Sequence, residues 1–437
     1  MTNHHNAQID LAWLTQRLGY GMSPDEQTNL DGVDPTTVLA RRLDPESHGV
    51  AIPPSPFEGL GDLIPPDIDP DNFPALRRAA YQQLLGIWLD ELRDTSDPLL
   101  EWMTFFWHDH FAVTSEVVLN PVIMVNHLSL LRQHARGNFG DLLRAVTLDP
   151  AMLIFLDGRS SVARQPNENY GRELLELYSI GVEHYTEADV VAAASALTGW
   201  QIQPGDGGTA VFSARRHDDT HRTLLGASGV HDVDTVLDAV LNHQALPGFI
   251  AGKLAASILG NDFDENQVPE FAHVFANHNL DLAPLISAIA EAGLALTSRS
   301  PLVRHPVSWL TNAEKTTGAR IDTRARAHIL HSMGMVPGRP PHVGGFPPPE
   351  NYLNASSTAA RFTSAGLVAN QAPEDSLALA AASTGDWQTL ASLLGRPQGF
   401  SAASLSALDG LKDATPSGQQ GRNCLALSLS TPDFLVI

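Results

Sequence analysis

The sequence is poor in cysteine and in basic residues, and each shortage excludes a class of protein. Its single cysteine, Cys424, rules out an internal disulfide framework and a zinc site made of several thiolates. Lys and Arg together number 27 against 49 Asp and Glu, which gives a formal net charge of -22 at pH 7. An acidic surface repels phosphate backbones, so we expect no nucleic-acid binding.

Long apolar runs are also missing from the sequence. No stretch approaches the roughly 18 apolar residues that a membrane helix needs, so we expect no membrane insertion. The segment Met1–Asn6 lacks the basic stretch and apolar run of a secretory signal, which predicts a cytoplasmic protein and leaves export with a partner open. Hydrophobic residues make up 43 % of the chain, enough to form a substantial core.

Apolar residues recur at helical spacing along most of the chain, as in Phe73–Asp94. The best strand signal is Trp200–Ala214, where a Gly-Asp-Gly-Gly turn separates two short runs and predicts a hairpin. We therefore predict a mainly α protein, one large multi-helix domain over residues 1–437 with one small β-hairpin. Residues 51–74 and 336–356 are interpreted as long loops, residues 200–226 as the hairpin with a His-Asp loop, and residues 395–421 as a third loop-like stretch.

The most distinctive segment is residues 101–111, which are rich in aromatic residues and contain two histidines. His108 and His110 are two positions apart and cannot share a helix face. His110 falls on the apolar stripe with Trp107, so we expect it to be buried. It is either a core histidine bonded to a backbone group or carboxylate, or a neutral ligand or general base in an apolar pocket.

A second segment, residues 167–178, places several charged side chains on one helix. Glu168 and Arg172 are four apart and can pair, while Glu173 lies on a second polar face and Tyr170 on the packing stripe. These carboxylates are either ordinary solvated groups or, if Glu168 or Glu173 turns inward, metal ligands or proton-transfer groups.

The third segment, residues 215–226, contains a His-Asp pair. His217 and His221 have the spacing of a helical metal pair, but Asp218 replaces the glutamate of that motif and the segment follows a hairpin. A loop pair is the better interpretation, in which Asp218 orients His217 or itself binds a cation.

At these motifs the chain resembles a bacterial family known as domain of unknown function 1800. The resemblance spans nearly the whole sequence, with Arg222 where the family usually has lysine and Phe346 where it has tryptophan. Members are often exported and encoded beside a phosphatase- or sulfatase-like protein, so the resemblance implies such a partner but no reaction. The matching segments are Leu14–Gly21, Trp107–Phe111, Asn167–Leu174, Gly181–Val190, Leu197–Trp200, His217–Asp218, Leu225–Gly226 and Ser430–Phe434.

These observations lead to a hypothesis of a metal-dependent enzyme, a hydrolase with an anionic substrate, in which a divalent cation activates water. The alternative is a non-catalytic scaffold or partner of the phosphatase/sulfatase-like protein, and an iron-dependent redox role is a third. Oxygen-rich ligands favour Mg, Mn or Fe. The expected catalytic residues are His110, Glu168, Arg172, Glu173, His217 and Asp218. The expected metal ligands are His110, Glu173, His217 and Asp218, and the expected substrate contacts are Trp107, Tyr170, Trp200 and Arg222.

Overall fold

Helices dominate the computed structural model, which describes residues 2–49, 51–60, 73–203, 208–295 and 299–437. For residues 2–4 it describes the main chain only. Of the described residues, 62 % are helical, which confirms the predicted mainly α fold. Before the strands come α1 (Thr2–Arg17), α2 (Pro24–Asn29), α3 (Pro35–Leu43), α4 (Phe73–Asp94), α5 (Pro98–His110), α6 (Pro121–His134), α7 (Phe139–Thr147), α8 (Pro150–Phe155), α9 (Glu168–Glu176) and α10 (Glu187–Ala196).

The strands divide these helices from a second set. They form two separate antiparallel hairpins, β1 (Trp200–Gln203) with β2 (Thr209–Phe212) and β3 (Arg222–Leu224) with β4 (Ala227–Val230). After them come α11 (Val233–Leu241), α12 (Leu246–Leu259), α13 (Val268–Asn277), α14 (Leu282–Leu294), α15 (Pro306–Thr317), α16 (Thr323–Met333), α17 (Ala355–Gln371), α18 (Leu377–Thr384), α19 (Trp387–Leu393), α20 (Ala402–Ala414), α21 (Ser417–Ser430) and α22 (Pro432–Leu435).

The predicted hairpin is β1–β2, in which Trp200 pairs with Phe212 and Gln203 with Thr209. Most of its glycine-rich turn lies outside the described residues. The β3–β4 hairpin was not predicted. Its two turn residues, Leu225 and Gly226, both have positive φ, and a leucine in that conformation gives no turn signal in the sequence.

The predicted loop character of residues 395–421 is wrong for most of that stretch. It contains α20 and the start of α21, which pack against each other. Ser401 caps α20 by accepting a hydrogen bond from the main-chain N–H of Ser404. Serine suggested a loop in the sequence, whereas here it starts a helix.

Most residues of helix α5 are buried, and local hydrogen bonds and backbone conformation set its two ends. Asp97 caps its start by accepting a hydrogen bond from the N–H of Leu100, and Pro98 occupies the first helical position. The helix ends at His110, because Phe111 leaves the helical conformation. This ending places Asp109 and His110 on the last turn of a buried helix.

The buried hydrophobic side chains form one cluster that extends from Leu11 to Phe434. One connected core is what the predicted single domain requires, although the domain division itself stays a prediction. Within the described parts of the chain, no helix is both long and apolar enough to cross a lipid bilayer.

Candidate functional site

A cavity of about 320 Å³ opens between α5, α12 and the start of α15. Residues 344–349, part of the long loop predicted from the sequence, form one of its walls. Another wall is aromatic: the Phe105 ring stacks on His305 at 5.4 Å and on Phe346 at 6.3 Å. A largely apolar cavity with a few polar groups is the usual form of a small-molecule site. Its polar lining residues are Gln16, Arg17, Asp109, His110, Lys253, Ser257, Asn261, Arg304, His305 and Ser308.

Asp109 is held in place by the loop that passes over it. Its Oδ1 accepts a hydrogen bond from the main-chain N–H of Phe346 at 2.6 Å. The loop comes this close because the preceding residue is Gly345, which has φ +91° and where a Cβ would lie 2.4 Å from Oδ1. A side chain at this position would push the loop away from the carboxylate.

Lys253 is held on the facing helix α12. Its Nζ donates to the carbonyl oxygen of Leu177 at 3.3 Å and lies 3.1 Å from the Nδ1 of His110. The Nε2 of His110 lies 3.1 Å from the carbonyl oxygen of Tyr178, and a carbonyl can only accept, so Nε2 carries the hydrogen. Nδ1 is then the acceptor for the lysine. The imidazole therefore fixes the ammonium group from one side.

Burial shifts the pKa values of Asp109 and Lys253 towards neutral pH. Loss of solvent raises the pKa of Asp109 to about 6, against the opposing effects of the Phe346 hydrogen bond and the Lys253 charge. Loss of solvent lowers the pKa of Lys253 to about 8, against the opposing charge of Asp109. At pH 7 both groups are mostly charged, yet each is close to its midpoint.

His110 and His305 are both neutral at pH 7. Burial lowers the pKa of His110 well below its ordinary value, and the charge of Lys253 lowers it further. Burial lowers the pKa of His305 to about 4, and its Nδ1 accepts the N–H of Ser308 at the start of α15. Neither imidazole therefore adds charge to the cavity.

Two further cations lie in the cavity wall. Burial lowers the pKa of Arg17 and of Arg304 to about 9, so both stay protonated at pH 7. Arg17 donates to the carbonyl oxygen of Ser300 at 2.6 Å, and Arg304 donates to the side chain of Gln16. Among the side chains that line the cavity, three cations, Arg17, Lys253 and Arg304, stand against one carboxylate, Asp109. Arg17 also donates to an oxygen of Ile437 at 2.7 Å, in the same lining.

Comparison with known proteins gives one match. The family model described as protein of unknown function (DUF1800) matches residues 13–436, nearly the whole chain. The chain belongs to the DUF1800 family. No curated protein and no solved structure matches it. The resemblance seen in the sequence is thereby confirmed, and membership of the DUF1800 family brings no reaction with it.

One of the six catalytic residues expected from the sequence lines the cavity of this DUF1800 protein. That residue is His110, which is buried as predicted; in the described part of the chain, the other five expected catalytic residues do not line the cavity. Its bond to Tyr178 fits the structural alternative, whereas its contact with Lys253 fits the functional one.

The three expected residues of α9 lie apart from the cavity lining. The spacing allows Arg172 to pair with Glu168, but its two bonds, at 2.9 and 2.7 Å, go to Glu187 at the start of α10. Glu168 is exposed. Glu173 is half-buried, and loss of solvent raises its pKa, with the nearby Glu176 charge adding to the rise.

The His-Asp loop is anchored on the end of α10. His217 places its Nδ1 3.0 Å from the carbonyl oxygen of Thr198. Asp218 accepts from the hydroxyls of Ser195 and Thr220, each at 2.5 Å, and from Arg222 at 3.2 Å. These hydrogen bonds, led by Ser195, hold the pKa of Asp218 well below its usual range. The pair is thus bonded mainly within its own loop and to α10.

The expected substrate contacts are mostly engaged within the protein. Trp107 is fully buried and donates its indole N–H to the carbonyl oxygen of Ala135 at 2.9 Å. Tyr170 is buried and donates to the carbonyl oxygen of Thr147. Trp200 packs on the Phe212 ring across the β1–β2 hairpin at 5.4 Å. Their proposed roles, like that of Arg222, stay predictions.

Two of the expected metal ligands, His110 and Asp218, already use their ligand atoms in hydrogen bonds within the protein. Both ring nitrogens of His110 are engaged, and both oxygens of Asp218 accept hydrogen bonds. Across the described residues, the one group of His and carboxylate side chains with the spacing of a metal site is a different trio, Asp219, His221 and His231. The four-residue metal set stays a prediction.

Sequence reasoning missed Asp109 and Lys253, although both left a signal. Asp109 stands between His108 and His110, in the most distinctive segment of the sequence. Lys253 is the sole charged residue in the 14-residue helix α12, and only three lysines occur in the chain. A lone lysine in an apolar helix must reach solvent with its ammonium group, pair with a polar partner or have a chemical role. This pattern is therefore a sequence signal for Lys253.

Proposed function

We propose that the protein is an enzyme that hydrolyses an anionic substrate in the Asp109–Lys253 cavity. The observation that carries this proposal is that two groups with pKa values on either side of 7, about 6 and about 8, line the same cavity. Shifted acid–base pairs in a cavity are typical of active sites.

In the proposed reaction, Asp109 is the general base and Lys253 the general acid. The Asp109 carboxylate accepts a proton from a water molecule, whose oxygen attacks the electrophilic centre of the substrate. Lys253 gives a proton from Nζ to the leaving oxygen as its bond breaks. Asp109 then releases its proton to solvent, and Lys253 takes up a proton from solvent, which restores the starting state of both groups.

His110 acts in this proposal as a positioning residue. Its Nδ1 accepts one hydrogen of the Lys253 ammonium group, and the carbonyl of Leu177 accepts another. An ammonium group has three hydrogens, so one stays available for the substrate. The neutral imidazole also adds no positive charge that would lower the lysine pKa further.

The charge of the cavity supports an anionic substrate. Among the lining side chains, Arg17, Arg304 and Lys253 outnumber Asp109, so a phosphate, sulfate or carboxylate group would be attracted into the cavity. The ring stack of Phe105, His305 and Phe346 offers an apolar surface to the rest of the molecule.

A non-catalytic scaffold for a phosphatase/sulfatase-like partner is the rival proposal. The observation that favours it is the closed bonding of Asp218, which accepts hydrogen bonds from Ser195, Thr220 and Arg222, as is typical of side chains that fix a fold. It assigns no reaction to the cavity, so the two proposals differ in whether the chain alone turns over a substrate.

The test is hydrolysis of three nitrophenyl esters, the phosphate, the sulfate and the uncharged acetate, by the full-length chain. We expect release of nitrophenol from an anionic ester, and loss of that activity in Lys253→Gln. Lys412→Gln, in which the changed lysine lies on α20, is the matched control and should keep it. Equal rates in wild type and Lys253→Gln, or no turnover of any ester, would contradict the proposal and favour the scaffold.

A further inference from the structure

We propose that Asp219, His221 and His231 form a binding site for one divalent transition-metal ion of the zinc type. This site lies outside the cavity lining, and the inference does not depend on the proposed hydrolysis. One carboxylate oxygen and two ring nitrogens of these residues lie within 4.8 Å of one another.

The β3–β4 hairpin brings the two histidines together. Arg222 and Val230 are paired across the hairpin, His221 directly precedes the first and His231 directly follows the second. Residues that flank a cross-strand pair lie side by side, and the two imidazole rings stack at 4.3 Å. Asp219 stands two residues before His221 in the same loop.

The ring of His231 has the tautomer that metal binding needs. Its Nδ1 lies 2.9 Å from the carbonyl oxygen of Gly229, so Nδ1 carries the hydrogen and Nε2 keeps its lone pair. Metal-binding histidines usually have such a backbone partner, which fixes the ring and makes the free nitrogen a better ligand. Asp232, whose Oδ2 lies 3.6 Å from Nε2, adds negative charge beside the ligand.

The other two ligands are available, and the loop that carries them is anchored. In the described chain, the carboxylate of Asp219 and the ring nitrogens of His221 have no hydrogen-bond partner. The adjacent Asp218 is bonded to Ser195, Thr220 and Arg222, which fixes the loop beside the ligands. Zinc ligands at about 2.0–2.2 Å from the ion lie about 3.5 Å apart, so the ligand atoms must approach one another by about 1 Å. The two stacked rings must also turn until both nitrogen lone pairs point at the ion.

The ligand set selects the class of metal. Two imidazoles and one carboxylate suit zinc, cobalt or nickel, whereas magnesium and calcium prefer oxygen ligands. Three protein ligands leave a fourth tetrahedral position for water. Asp219 is one residue from Asp218 and two residues from His217, so the proposed site lies in the loop that the sequence indicated but uses other ligands.

The test is zinc and cobalt titration of the full-length protein after removal of metal with a chelator. We expect one tight site, an absorption band of four-coordinate cobalt, and a rise in the unfolding temperature with zinc. His221→Gln and His231→Gln should each weaken zinc binding at least about 100-fold and remove the cobalt band. Without metal, both variants should unfold at the wild-type temperature, which separates lost binding from lost folding.

Two matched variants exclude binding by the other histidines. His278→Gln changes an exposed histidine, and His243→Gln changes one member of another histidine pair, with His184 at 6.2 Å between ring centroids. Neither should alter the tight site. If zinc binds wild type, His221→Gln and His231→Gln alike, or if His243→Gln removes the site, the ion is adventitious or bound elsewhere and the proposal is overturned.

Discussion

Asp109→Asn lowers kcat/KM for the anionic ester by about 10²–10⁴-fold, the usual contribution of a general base. Asparagine keeps the size of the side chain and the oxygen that accepts the Phe346 N–H, but it cannot take a proton from water. The measurement is steady-state hydrolysis by wild type and variant at pH 7. Because the site lies on the buried helix α5, the free energy of unfolding of both proteins is measured alongside.

The pH dependence of wild type shows the same two groups. Asp109 must be ionised to act as a base, so the rate falls as pH drops through about 6. Lys253 must be protonated to act as an acid, so the rate falls as pH rises through about 8. The profile of kcat/KM is therefore bell-shaped with its maximum near pH 7. In Asp109→Asn the acidic limb should disappear.

The matched control is Asp375→Asn, which makes the same change at an exposed position. It should leave both rate and profile unchanged. A wild-type rate in Asp109→Asn, or an acidic limb that survives in it, would show that the cavity carboxylate is not the base.

Arg132→Ala should have the largest effect on stability. Arg132 donates to Glu101 at 2.6 Å, and both side chains are buried, Glu101 completely. Removal of the arginine leaves a buried carboxylate without its cation, which costs about 3–5 kcal/mol of unfolding free energy. Chemical denaturation at pH 8 measures the loss.

The loss in Arg132→Ala should be smaller at pH 5. Burial raises the pKa of Glu101 to about 7 even with Arg132 present, so at pH 5 the folded protein holds a neutral carboxyl group in both forms. The variant then lacks a hydrogen bond but leaves no buried charge.

Two controls separate the buried charge from the lost side chain. Glu101→Met combined with Arg132→Met removes both charges and should cost less than Arg132→Ala. Arg320→Ala removes an exposed pair with Asp94 and should cost less than about 1 kcal/mol. If Arg132→Ala lowers the free energy of unfolding no more than Arg320→Ala does, the buried Arg132–Glu101 pair does not stabilise the fold.

Helices with one apolar face can be predicted from the sequence. The burial of α15 cannot be predicted in this way. Every residue of α15 is buried, yet the helix has no clear apolar stripe because polar residues run along it. Its polar groups find partners far away in the sequence: Asn312 donates to the carbonyl of Tyr20 at 2.8 Å, and Lys315 pairs with Glu26 at 3.0 Å. Such partners exist only after folding.

The candidate site shows the same limit. His110 could be found because its spacing within one helix predicts burial. Its contact with Lys253 joins residues 143 positions apart, and no local pattern encodes that distance along the chain. The shifted pKa values depend on how α5, α12 and the 344–349 loop enclose the groups. Sequence alone therefore predicts the helix and the histidine, but not the acid–base pair.

The most direct test of the central claim is competitive acetylation of the three lysines with acetic anhydride over a range of pH. Mass spectrometry of peptides follows each lysine separately, because the three lie far apart in the sequence. We expect a labelling midpoint for Lys253 at about pH 8. In Asp109→Asn the midpoint should move lower, because the carboxylate charge favours the ammonium form, while Asp375→Asn leaves it in place. A midpoint near the ordinary lysine value of about 10.4, or one unmoved by Asp109→Asn, would show that the two groups do not share an enclosed site.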